Sequence, residues 1–255
     1  MMRCIVPDWA GMPATVGALS TTRRGGLSAA PYDDGAGGGG LNLGLHVGDD
    51  ADSVMRNRAL LHAQLPGTPV WLNQVHGAGV VDAAAVEGVP DADASFTTRP
   101  GVVCAIMTAD CLPVLFADRA GNVVGAAHAG WRGLSLGVLQ NTVARMRVAG
   151  AGDGDITAWL GPAIGPQAFE VGADVRAAFA DADPAAASAF TVQPGGKFLA
   201  DIYQLARLAL AGCGVRQVAG GEFCTVLDAA RFYSYRRDRV TGRMASLVWI
   251  RPPAS

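Results

Sequence analysis

At 255 residues and 26.1 kDa the chain is long enough to bury a sizeable core without disulfides. Half of its residues are hydrophobic, 16% are charged and the mean hydropathy is +0.25, which excludes the low-hydrophobicity, high-charge composition of disordered chains. A net charge of -2 with an isoelectric point near 6.0 excludes a general attraction to nucleic acid or to an anionic membrane. Asp110 and Pro113 interrupt the most apolar stretch, Gly101 to Ala117. Ala59 to Val81 carries prolines, histidines and amides, so neither stretch supplies the roughly 18 apolar residues of a membrane span. The first nine residues show no apolar segment of a secretory signal, and five cysteines without a Cys-x-x-Cys pair show no disulfide framework. The expected location is the reducing cytoplasm.

In chain order, Gly35 to Gly40 is expected to be a flexible loop, because consecutive glycines lose the most backbone entropy on ordering. Apolar spacing predicts a helix over Val54 to Leu65, with His62 on its surface. Strands are predicted at Val70 to Val75, Val80-Val81, Val102 to Met107 and Leu112 to Phe116. Asp118 to Asn122 has hairpin length and precedes a strand at Val123 to Ala127. One helix is predicted over Leu134 to Val148, then a strand at Thr157 to Leu160 and surface helix or loop at Pro184 to Ala187. A helix at Ile202 to Leu210 and a strand at Ala245 to Ile250 close the pattern. Strand clusters with interspersed helices, no internal repeat and no linker predict one α+β or layered α/β domain over residues 1–255.

Four histidines and five cysteines leave few candidates for soft-ligand or nucleophilic chemistry. His76 ends a predicted strand in Asn73-Gln74-Val75-His76-Gly77, and His128 stands where a strand hands over to a helix in His128-Ala129-Gly130-Trp131-Arg132-Gly133. Cys111 follows Asp110 at a polar break between two apolar strands. Strand ends face clefts more often than core positions do. Taken one at a time, each has a plain structural explanation, a satisfied histidine or a cysteine acting as a small hydrophobe. Separations of 35 and 17 residues match no compact zinc-finger spacing. Converging in space, the three would make a His₂Cys zinc site with an open position. Cys111 as nucleophile with His128 as base is the rival arrangement. His46 is a weaker candidate. Arg132 beside a glycine-flanked helix start suits an anion, and Arg23 in Thr21-Thr22-Arg23-Arg24-Gly25-Gly26 is either a solvated charge or an anion clamp. Dinucleotide, P-loop and Gly-x-Ser-x-Gly motifs are absent.

Together these strings resemble the YfiH-like family, also called polyphenol-oxidase or laccase-domain proteins and assigned as purine nucleoside phosphorylases. The resemblance runs in order through Ser20 to Ser28, Leu41 to Asp50, Asn73 to Gly77, Ala109 to Pro113 and His128 to Gly133. It continues through Leu160 to Pro166, Phe169 to Gly172, Phe232 to Asp238 and Thr241 to Met244. It implies packed β-sheets flanked by helices and zinc held by His76, Cys111 and His128. It further implies phosphorolysis of adenosine, inosine, guanosine and methylthioadenosine, with adenosine deamination beside it. The partners expected are purine nucleosides and phosphate, with no nucleic acid or membrane, and the assembly a monomer or homodimer. In that reading Arg132 and Arg23 hold phosphate, Asn42 and Gln74 bond ribose or base, and Asp110 either takes a proton or orients water or serves as a structural carboxylate. Two departures stand out: the glycine tract lengthens the loop after Tyr32, near Asn42, and Gln167-Ala168 replace a cysteine pair common in the family.

The family's oxidase name implies Cu(2+). Four histidines are too few for a blue-copper centre plus a trinuclear cluster, so a single copper in the His₂Cys site, oxidising phenols weakly, is the most that copper chemistry has to work with. A further alternative is a Cys111–His128 hydrolase editing a peptidoglycan precursor.

Overall fold

The computed structural model describes residues 2–253. The first half runs β1 (Cys4–Ile5), β2 (Val16–Thr21), β3 (Arg24–Ser28), α1 (Ala51–His62), β4 (Pro69–Val70), β5 (Val80–Asp82) and β6 (Ala94–Thr97). Next come β7 (Val103–Thr108), β8 (Leu112–Asp118), β9 (Val124–Ala129), α2 (Trp131–Ser135), α3 (Val138–Val148) and β10 (Ile156–Leu160). The last part holds β11 (Glu170–Val171), α4 (Ala173–Ala180), β12 (Phe190–Gln193), β13 (Lys197–Ala200), α5 (Ile202–Gly212), β14 (Gln217–Gly220), α6 (Tyr235–Asp238) and β15 (Met244–Ile250).

Two sheets carry the architecture, one in the order β1-β2-β15-β7-β4 and the other β14-β10-β8-β9-β6-β5. Their strands alternate side chains between faces, and every face is covered. Cys104 and Ile106 of β7 and Val248 and Ile250 of β15 meet Leu115 and Ala117 of β8 and Trp159 of β10 in a core between the sheets. The intervening residues of β7 and β15, Val103, Ala105, Leu247 and Trp249, point the other way, onto Leu41 and Leu43 of the segment before α1 and onto Leu61 of α1. Val114 and Phe116 of β8 point outward onto Leu139, Val143 and Met146 of α3 and onto α5. Both central strands are therefore continuous apolar runs, and burying each large side chain contributes about 1.5–3 kcal/mol. A third sheet, β11-β13-β12, packs with α4 on the outer helical side. The layered α/β expectation is met.

The predicted β7, β8, β9, β10 and β15 appear within a residue or two of their expected bounds. The β8–β9 turn forms as expected, with the Asp118 carboxylate accepting from the N–H groups of Asn122 and Val123 at 2.8 and 2.7 Å. The helix at Leu134 to Val148 is corrected to two, α2 and α3, because Gly137 has φ +87° and breaks the α-helical path. The strand predicted through Val75 stops at Val70, leaving Asn73 to Gly77 as irregular chain on the surface of the cleft described below. Pro184 to Ala189 forms a 3₁₀ helix that buries Ala186 and Ala189, so it is more than surface. The glycine tract is anchored: Asp34 Oδ1 accepts from Ala36 and Gly38 N–H at 2.8 Å, and Gly40 bridges Arg24 and Ser28. His62 is exposed as expected, and no helix among the described residues is long and apolar enough to cross a membrane.

Candidate metal centre

Strand register explains why residues distant in sequence meet. In the β8–β9 ladder Leu112 pairs with Ala129 and Pro113 with His128, so the residue before β8, Cys111, lies against Gly130. In the β6–β9 ladder Ala94 pairs with Ala127, which puts Asp93 beside His128; the His128 N–H donates to the Asp93 carbonyl at 2.6 Å. His76 arrives from the irregular segment after β4.

The Cys111 Sγ and His76 Nε2 lie 4.0 Å apart, and the ligand atoms of His76, Cys111 and His128 all fall within 4.8 Å of one another. The two imidazoles meet edge to face at 4.8 Å. A tetrahedral zinc, with bonds of about 2.0 Å to nitrogen and 2.3 Å to sulfur, separates such ligands by about 3.3–3.7 Å, so an ion would draw the set in by about 1 Å. Two imidazoles and one thiolate are the donors that suit zinc. Gly130 leaves the room: a Cβ there would stand 2.9 Å from the Cys111 sulfur and 3.3 Å from the His76 ring. Among the described residues no second group of three potential ligands forms.

Asp93, absent from the sequence candidates, holds this arrangement. Fully buried, its Oδ1 lies 2.7 Å from His128 Nδ1 and accepts the His76 N–H at 2.9 Å. Its Oδ2 accepts Gly77 and Val75 N–H at 2.6 and 3.2 Å. Burial alone would raise this carboxyl; His128 and the backbone donors hold it below the usual range. The bond at Nδ1 turns His128 so that Nε2 faces the cysteine, the arrangement in which a carboxylate orients a metal-binding imidazole. His76 and Asp110 both have left-handed backbones, at φ 59° and 92°, a strain of order 1–3 kcal/mol each that the surrounding hydrogen bonds sustain.

Burial works against the Cys111 thiolate, but the charge of His128 and its hydrogen bonds with both histidines outweigh it, bringing the thiol down to about 6. The same thiolate, with Asp93, raises His128 against the effect of its own burial. The group is thus poised to exchange protons for a cation. In metal-stripped protein, iodoacetamide is expected to alkylate Cys111 with a rate that rises through about pH 6 and levels above it, since the thiolate is the nucleophile. Cys4 and Cys104, pushed up by burial to about 11 and about 12, are expected to stay unreactive there. Modification of Cys111 rising only above pH 8 would overturn this.

His76 and Cys111 sit between two hollows, and His128 lines the larger of them. The larger, about 410 Å³, is lined by His46, Leu72, Asn73, Gln74, Met107, Thr108 and Arg243. The smaller, about 200 Å³, is lined by Asp110, Trp131, Arg132, Ile164, Phe169, Ile202 and Arg236. His76, Ala109, Cys111 and Tyr235 belong to both. His46 therefore reaches the cleft, and burial, reinforced by Arg243 and Arg58, lowers its pKa and keeps it neutral.

Three proposed substrate contacts, Arg23, Asn42 and Gln74, and the catalytic candidate Asp110 make their hydrogen bonds within the protein. Arg23 is buried, donating to the carbonyls of Asp33 and Ala229 and stacking on Tyr233, so it fastens two loops and lines neither hollow. Asn42 is fully buried; its amide donates to Asp49 and accepts from Gly44 and Arg243 N–H groups, tying down the base of Arg243. Gln74 reaches the cleft, yet its amide pairs both ways with the Met107 backbone at 2.8 Å, extending the ladder past β4. Both Asp110 carboxylate oxygens are engaged, by Thr225 Oγ1 and by the Arg236 N–H, each at 2.6 Å. These bonds make Asp110 a clamp that ties the turn before β8 to Thr225 and to the start of α6, the structural role open to it from the sequence. Arg132 lines the smaller hollow.

A layered α/β fold with a His–Cys–His constellation on a cleft defines a class of candidate metalloenzymes. Residues 17–251 match the family described as multi-copper polyphenol oxidoreductase laccase, and the chain belongs to this YfiH-like family. It is 54% identical over 98% of its length to the whole of a protein named purine nucleoside phosphorylase YfiH from Escherichia coli K12. It is 55% identical over 96% of its length, and 98% of the relative's, to a purine nucleoside phosphorylase of Pseudomonas aeruginosa. Among solved structures, a Neisseria meningitidis protein superposes with a TM-score of 0.91 at 53% identity, covering 98% of this chain and 99% of that one. YlmD from Geobacillus stearothermophilus superposes with a TM-score of 0.86 at 32% identity, over 99% and 98%.

Proposed function

We propose that this protein is a zinc-dependent purine nucleoside phosphorylase, acting on adenosine, inosine, guanosine and methylthioadenosine, and that it also deaminates adenosine. The observation that carries the reading is the convergence of His76, Cys111 and His128 beside a cleft of about 410 Å³, within the range of about 300–1,000 Å³ typical of small-ligand sites. The names of relatives more than half identical over nearly the whole chain support the choice of substrate.

In phosphorolysis a bond forms from a phosphate oxygen to C1′ and the C1′–N9 bond breaks. Its electron pair leaves on the purine, which takes the proton of hydrogen phosphate, giving free base and ribose 1-phosphate. His76, Cys111 and His128 would hold zinc, which supplies Lewis-acid stabilisation of developing negative charge. Asp93 keeps His128 and the His76 backbone in position. Leu72 and Met107 offer apolar contact, while His46, Asn73 and Thr108 offer neutral polar groups for ribose hydroxyls and base edges. In deamination, water adds to C6 and ammonia leaves; the open side of the ligand set toward the cleft favours that second activity.

Metal analysis and one assay test the reading: purified protein is incubated with inosine, with and without phosphate. Hypoxanthine and ribose 1-phosphate are expected only with phosphate, alongside about one zinc per chain. Hypoxanthine release indifferent to phosphate identifies a hydrolase, and no release with a metal-free, alkylation-sensitive Cys111 favours the cell-wall editing alternative. Copper at the same three ligands with phenol turnover would revive the oxidase name. Conversion of adenosine to inosine and ammonia tests the deaminase.

A further inference from the structure

The smaller hollow carries two guanidinium groups without carboxylate partners. Arg132 and Arg236 line it, and neither joins any ion pair among the described residues. The Arg132 side chain is exposed and stacks 4.9 Å over Trp131. Arg236 stacks 5.7 Å over Phe169 and donates through one nitrogen to the Glu170 carbonyl at 2.9 Å, leaving other donors of its five N–H groups. The one acid in the wall, Asp110, has both oxygens engaged by Thr225 and by the Arg236 backbone.

We propose that this hollow is an oxyanion subsite, in which Arg132 and Arg236 hold the phosphate of the phosphorolysis reaction; the inference rests on the phosphorylase reading. Three observations separate it from a base-binding slot. Trp131 and Phe169 pack on their inner side into the outer core, and each ring carries a guanidinium stacked on it, so a cationic group stands over both aromatic rings of the wall. At about 200 Å³ it falls below the usual range for a whole small ligand, whereas the larger hollow falls within it. Planar guanidinium forks match tetrahedral oxyanions, and two of them outweigh the single engaged carboxylate. The nucleoside takes the larger hollow, whose one guanidinium, Arg243, is turned onto the carbonyls of Thr241 and Gly242 at 3.1 Å. Phosphate and ribose then meet at the shared rim of His76, Ala109, Cys111 and Tyr235.

The test uses zinc-loaded full-length protein and the variants Arg132→Gln and Arg236→Gln, checked for equal metal content and circular dichroism. Inorganic phosphate is titrated by calorimetry, and initial rates are measured with phosphate and inosine varied separately. Each variant is expected to raise the phosphate Kd and KM by about tenfold or more, as loss of a charge-assisted bond does, while the inosine KM stays within about twofold. Arg132→Lys, which keeps charge without the fork, is expected to fall between. Phosphate constants unchanged in both variants, or an inosine KM rising in step, would overturn the subsite. If no nucleoside is turned over, the phosphorylase reading fails and calorimetry still decides. Phosphate binding lost in the variants supports the subsite, and no binding by the unmodified protein sinks it.

Discussion

Cys111→Ala is expected to give a folded protein that retains no stoichiometric zinc. The thiolate is the anionic ligand of the three, and two imidazoles 4.8 Å apart offer a divalent cation too few donors to compete with buffer and chelators. Cys111 lies just before β8, outside the cores between and around the sheets, and is itself only half-buried. Removing its sulfur from metal-free protein is therefore expected to change unfolding free energy by no more than about 1 kcal/mol. Elemental analysis with urea unfolding of the metal-free forms checks both halves. Full zinc occupancy in the variant would reject the ligand assignment, whereas zinc lost together with the fold would reject the separation of site from core.

Asp93→Asn is expected to lower zinc affinity by about 10–100-fold, the usual effect of losing a carboxylate behind a metal-binding histidine. The amide has one acceptor where the carboxylate has two. It meets backbone N–H groups from Val75, His76 and Gly77 as well as His128, so at least one donor loses its partner. In metal-free protein the same change is expected to destabilise by about 3 kcal/mol, because a buried ion pair is broken from one side. Competition against a chromophoric chelator measures the first effect and urea unfolding the second. A purely structural Asp93 would move stability while leaving chelator competition within about threefold, and that result would remove it as a positioning residue. A pronounced loss of affinity with Cys111 and His76 intact would place the orientation of His128, and the left-handed turn at His76, among the determinants of the site.

Features that depend on neighbours along the chain are legible in the residues alone. Strands β7, β8, β9, β10 and β15 are apolar runs bounded by turns, and burial on both faces makes such runs conspicuous without any partner being known. The turn at Asp118 is legible because an aspartate caps its own loop. His76, Cys111 and His128 stand out because each marks a polar end or break next to an apolar run. By contrast β2, Val-Gly-Ala-Leu-Ser-Thr, escapes notice, since glycine and hydroxyl residues dilute a pattern that burial between β1 and β15 nonetheless completes. The roles of polar side chains lay further out of reach. Arg23 bonds a carbonyl 206 residues away, Asn42 accepts from an N–H 201 residues away, and Asp110 accepts a hydroxyl 115 residues away. Asp93 meets His128 only through the register of β6 on β9. A periodic apolar pattern reports the face a residue turns, whereas a hydrogen bond is satisfied by whichever donor or acceptor the folded chain brings within about 3 Å. Only the tertiary structure could therefore divide the polar candidates into those that hold loops together and those that face the cleft.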